Sequence, residues 1–154
     1  MKYSIHKISK LFTVICFTVV IFNPIYGQSN SQENLLVGVW SFSEAPSIDK
    51  MDQDIKDDLA VSTQLQEHIT AFYSGRQLMF TNEGAFSILL GTGQRLDGQW
   101  SLNTGTLTML DTSGVTTTYQ IGGLDATNLV LIAPTSNDLA SRTLFPELYF
   151  IKSQ

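Results

Sequence analysis

The pentapeptide Gly38-Val39-Trp40-Ser41-Phe42 returns sixty residues later as Gly98-Gln99-Trp100-Ser101-Leu102, each copy heading a strand-like run. A glycine lets the backbone bend sharply where a strand enters a curved sheet, and an indole two places on can lie across one end as a plug. The repeat therefore predicts a closed β-barrel whose plug is built from Gly38, Trp40, Gly98 and Trp100.

Turn chemistry supplies the remaining strands. Asn82-Glu83-Gly84, Gly91-Thr92-Gly93, Asn103-Thr104-Gly105 and Asp111-Thr112-Ser113-Gly114 separate short apolar runs at close, regular spacing, which is the pattern of consecutive hairpins. Residues 115–121 place Val, Thr, Tyr and Ile on one face against Thr, Thr and Gln on the other, as a half-buried strand does. Residues 129–133 form a more buried strand, and a polar loop at 135–141 precedes a closing strand near 148–151, with Pro146 at its start. The count is about eight strands. Closure removes exposed sheet edges, so a mainly β, single-domain, antiparallel eight-stranded up-and-down barrel is expected, with a sandwich as the alternative that uses the same strand signals.

Between the first and second strands the apolar period changes from two to about 3.6. Ile48, Met51, Ile55, Leu59, Leu65, Ile69, Phe72 and Tyr73 fall within one broad sector, with Ser47 as the expected N-cap and Gly75 after the end. A straight helix over 48–74 would be ~40 Å long, longer than a small barrel is wide. A break near 60–63 is expected, giving a helical insert of one or two helices.

The N-terminus has the outline of a secretory signal peptide. Lys2, Lys7 and Lys10 precede an uncharged stretch at 11–22, shorter than the ~20 residues of a spanning helix, and Gly27 offers a small residue at a cut site. The expected organisation is a signal peptide at 1–27, a flexible leader at 28–34 and the barrel domain at 35–154, so the mature protein would be periplasmic or extracellular with no membrane span. Cleavage removes three lysines and no acid, which moves the formal charge from −5 to −8 and argues against nucleic acid as a partner. Cleavage also removes Cys16, the single cysteine, and with it disulfide and thiol chemistry.

Leu36-Val37-Gly38-Val39-Trp40, the hairpin Phe80-Thr81-Asn82-Glu83-Gly84-Ala85-Phe86, and Gly98-Gln99-Trp100-Ser101-Leu102 together resemble the bacterial secreted lipocalin-like domains. The resemblance implies an eight-stranded barrel with a lumen able to hold a small apolar molecule. It also implies a late basic residue against the first-strand Trp, for which Arg142 is the candidate. The helical insert is similar to the lid of intracellular fatty-acid-binding proteins, but their final-strand Arg and Tyr pair is not reproduced, since Tyr149 has no arginine two places before it. Carboxylate recognition has no clear residue to carry it.

Catalytic and metal chemistry find little support. His68 is the sole histidine after residue 27, too few for a zinc site without cysteine, and it reads as a surface residue. Asp52, Asp54, Asp57 and Asp58 lack the glycine-bearing loop of a calcium site and read as a solvated helical face, with Asp58 near the apolar stripe, marking the helix break or meeting Arg76 or Arg95. No Gly-x-Ser-x-Gly elbow is present, and Gly91-Thr92-Gly93 lacks the Lys of a phosphate loop. No cofactor, metal or catalytic residue is assigned. Phe80, Phe86, Tyr119 and Phe150 are the lumen candidates; inward aromatics either fill a small barrel or line a cavity. The expectation is a non-covalent binder of a small hydrophobic ligand, with a filled-barrel interaction module of the cell envelope as the alternative.

Overall fold

A computed structural model of the chain describes residues 29–134 and 143–153. Helix α1 (Ser29–Leu36) leads into β1 (Gly38–Phe42); α2 (Glu44–Asp49), α3 (Gln53–Val61) and α4 (Thr63–Phe72) follow. Then come β2 (Gln77–Phe80), β3 (Ala85–Leu89), β4 (Arg95–Asn103), β5 (Thr106–Asp111), β6 (Thr116–Leu124), β7 (Asn128–Ile132) and β8 (Glu147–Lys152). Every strand pairs antiparallel with its neighbours in sequence, and β8 closes on β1 with Trp40 opposite Lys152. The result is the expected closed eight-stranded barrel. Among the described residues no helix is long and apolar enough to cross a membrane.

Successive connections of an up-and-down barrel alternate between its ends. Helices α2 to α4 and the β3–β4 and β5–β6 connections lie at one end, the mouth; α1 and the β2–β3, β4–β5 and β6–β7 turns lie at the other, the base.

The helical insert departs from the expectation in its number and its start. Three helices occupy it, the first beginning at Glu44 with Ser43 at the N-cap position, so Ser47 is not a cap. Pro46 is tolerated because the first turn of a helix leaves its N–H groups without intrahelical partners. Ser47 instead is fully buried; its Oγ donates to the Ser43 carbonyl at 2.8 Å and accepts the Tyr149 N–H at 2.9 Å, pinning α2 to β8. The break near 60–63 is present at Ser62, which ends α3 and caps α4 by accepting the Leu65 N–H at 3.2 Å. Asp58 lies exposed on α3 and its backbone carbonyl accepts the Ser62 N–H; Arg95, one of its expected partners, pairs with Asp97 at 2.7 Å.

The start of the domain differs too. The polar stretch read as a leader is, from Ser29, helix α1, and the first strand begins at Gly38 rather than at Leu35. Helix α1 packs against β4 and β6 across the base and buries Leu36 completely. One buried leucine at its end anchors a helix that is polar except for Leu35 beside it.

Candidate functional site

The base is solid. Trp40 is fully buried and donates its Nε1–H to the Leu36 carbonyl at 2.7 Å, while the Lys152 ammonium sits 4.8 Å from its ring centroid and donates to the Leu35 carbonyl at 2.9 Å. The cation on the plug is thus Lys152, brought opposite Trp40 by strand register; Arg142, the residue expected there, lies outside the described residues. Gly38 holds φ at 135°, and a side chain there would run into the Lys152 stem. Trp100 is half-buried, packs edge-on against Phe80 with centroids 5.6 Å apart, and donates to the Thr81 carbonyl at 3.2 Å. Gly98 is not at a strand entrance but inside β4, opposite Phe86, where a Cβ would collide with the Phe86 ring and the Leu110 carbonyl.

Toward the mouth, the side formed by β7, β8, β1 and β2 is filled by rings. Phe42 contacts Phe150 at 5.7 Å, Phe145 at 5.5 Å and Tyr73 at 5.8 Å, and Tyr73 meets Phe145 at 4.6 Å. Offset and edge-on pairs at these distances are the favoured aromatic geometries. Leu78, Leu129, Leu131 and Leu148 complete this packed half.

The β3–β6 side stays open. A cavity of ≈ 140 Å³ is walled by Phe86 and Ile88 of β3, Leu96 of β4, Met109 and Asp111 of β5, and Thr117 and Tyr119 of β6, with Arg76 across its rim. This volume is on the order of a cavity that holds one benzene ring and below the ~300–1,000 Å³ of pockets for larger ligands. Of the four lumen candidates, Phe86 and Tyr119 line the cavity, whereas Phe80 and Phe150 belong to the packed interior at 1% and 2% exposure. Packing density, which is set by tertiary structure, separates these two pairs.

A wider open groove of ≈ 420 Å³ adjoins the cavity between α4 and the β3–β4 hairpin, lined by His68, Phe72, Tyr73, Leu90 and Gln94 and sharing Arg76 and Leu96 with it. The Thr92 N–H donates to the Ala71 carbonyl at 2.9 Å, tying the hairpin tip to α4, and Gly91 lies too close to the last turn of α4 to carry a Cβ. His68 is exposed, as expected, and its ring lies 4.7 Å from that of Phe72.

Arg76 follows the left-handed Gly75 and precedes β2, at the junction of cavity and groove. Its guanidinium lies 5.4 Å from the Tyr73 ring centroid, its Nε is buried without a hydrogen-bond partner, and among the described residues it has no ion-pair partner. An orphaned buried donor costs about 1–3 kcal/mol, more when charged. Burial pushes the Tyr73 phenol above its usual range, against the pull of the Arg76 cation. Asp111 also lines the cavity, held ionised below the usual carboxylate range by the Ser113 hydroxyl and the Val115 and Ser113 amides. The sequence drew no attention to Arg76 as a site residue, because nothing local distinguishes it from a surface arginine. Among the described residues no group of three or more His, Cys, Asp or Glu side chains could hold a metal ion.

Element order, closure, base plug and helical cover together define an eight-stranded antiparallel up-and-down β-barrel. No protein-family model and no curated protein sequence matches the chain. Among solved structures it is similar to a lipocalin-like protein from Bacteroides uniformis ATCC 8492, with 13% identity and a TM-score of 0.44 over 78% of this chain and 99% of that one.

Proposed function

We propose that this protein is an exported lipocalin-like carrier that binds one small, largely apolar molecule non-covalently at the mouth of its barrel. The observation that carries this reading is the uneven interior: aromatic packing fills the β7–β2 side, while Phe86, Ile88, Leu96, Met109 and Tyr119 surround open space on the β3–β6 side. Empty space in a core costs stability in proportion to its volume, so an apolar occupant is stabilising. The cavity's size suits a single ring or a short alkyl chain, with the remainder of the ligand in the groove beside α4. Export rests on the basic, apolar and small-residue succession of residues 1–27, and N-terminal sequencing of protein from its own host is expected to begin just after Gly27.

Native mass spectrometry of that material, followed by titration with 1-decanol, tests the binding reading. One-to-one, saturable uptake that is lost in Ile88→Trp is expected. An absence of saturable uptake in the parent protein would overturn it.

A further inference from the structure

We infer that the ligand is an amphiphilic monoanion, a carboxylate whose apolar end enters the cavity and whose head group is held by Arg76 at the boundary between cavity and groove. This rests on the proposed lumen binding and adds its chemical class.

Four observations carry it. Arg76 lines both the ≈ 140 Å³ cavity and the ≈ 420 Å³ groove, so a molecule spanning the two passes its guanidinium. The guanidinium rests against the Tyr73 ring with its Nε enclosed and unpartnered, so the protein supplies an oriented cation with no ion-pair partner among the described residues. The Arg95 guanidinium, by contrast, is paired with Asp97 and bonded to Ser87. Finally, Phe86, Ile88, Leu96 and Met109 give the cavity an apolar part beside Arg76, and charge-assisted hydrogen bonds strengthen where water is excluded.

Asp111 sets the direction and the charge. Its carboxylate lines the cavity but not the groove, so an anionic head in the lumen would meet repulsion there, whereas one on the α4 side of Arg76 avoids it. A single negative charge fits a cavity lined by one arginine and one aspartate better than a double charge does. The position differs from a head-group site on the final strand, where Tyr149 bonds Glu147 instead.

Isothermal titration with decanoate and 1-decanol at neutral pH, on the full protein and its variants, tests the assignment. Arg76→Gln is expected to weaken decanoate roughly tenfold or more while leaving decanol within about twofold, and Arg76→Lys to restore part of the loss. Asp111→Asn, which leaves Arg76 untouched, is expected to strengthen decanoate and not decanol, and added salt to weaken decanoate alone. Equal losses for the two ligands in Arg76→Gln, or no response of decanoate to Asp111→Asn and salt, would overturn the inference. Decanol binding without decanoate binding would also overturn it while leaving the lumen reading standing; binding of neither would end both.

Discussion

At the base of the barrel, Trp40 has an acceptor for its indole N–H and a cation over its ring; at the mouth, Arg76 has a ring beneath it and no acceptor for its Nε. The same kind of contact, a cation on an aromatic face, thus appears twice, once with its polar partners supplied and once without. At the base, the Lys152 ammonium also caps the end of α1 through the Leu35 carbonyl, so the contact joins the first helix, the first strand and the last. At the mouth, the incomplete version stands beside open space. The satisfied end holds the fold closed, and the unsatisfied end is where binding energy remains to be gained.

The largest expected effect is at the base. Trp40→Ala should cost about 3–5 kcal/mol, read as a lowered denaturant midpoint, because it leaves a large hole where the neighbours are already close-packed. A loss below about 1 kcal/mol would mean that the base is not the rigid end. Ser47→Ala comes next, at about 1–3 kcal/mol, since the Tyr149 N–H, part-buried beside the fully buried Ser47, would lose its acceptor. Lys152→Met should cost about 1 kcal/mol, the usual scale of a cation–π contact made by a partly exposed cation. Filling the mouth is expected to behave differently: Ile88→Phe should change stability by less than about 1.5 kcal/mol, because open volume is available to the larger ring. The same variant should weaken decanol binding, which separates a site for ligand from a site for stability.

The smallest effect concerns pH. Asp125, in the β6–β7 turn at the base, accepts the Thr127 and Asn128 amides, and these bonds lower its pKa from 3.8 to about 2. A carboxylate depressed in the folded state contributes stability that is complete above its unfolded value and is lost as pH falls through its folded value. A fall in amide protection relative to the intrinsic exchange rate is therefore expected at Thr127 and Asn128 between about pH 4 and pH 2, and should be absent from Asp125→Ala, whose turn is already loosened.

Much of the architecture was legible because its causes are local. Glycine-bearing turns at residues 84, 93, 105 and 114 adopt positive φ and delimit β2 to β6, and Ser62 breaks the insert within the span that helix length required. What escaped the sequence depends on distant residues meeting. Helix α1 is polar along most of its length, and only the complete burial of Leu36 against the base explains why it docks. Ser47 looked like a cap because its reach to Tyr149, more than a hundred residues away, leaves no local trace. Lys152 faces Trp40 through barrel closure, a matter of register between the first and last strands. At the site, alternation identified Phe86 and Tyr119 as inward but could not separate them from Phe80 and Phe150, since all four share the same periodic signal. Arg76 was invisible as a site residue for a related reason: a missing partner is a property of the folded surroundings.

A two-dimensional NMR titration with 1-decanol tests the contrast between the two ends most directly. Saturable shifts are expected for Ile88, Met109, Thr117 and Tyr119 around the cavity, while the indole N–H signals of Trp40 and Trp100 at the base stay fixed. Shifts concentrated at the two indoles, or no saturable shifts around the cavity, would contradict a barrel that is closed at its base and receptive at its mouth.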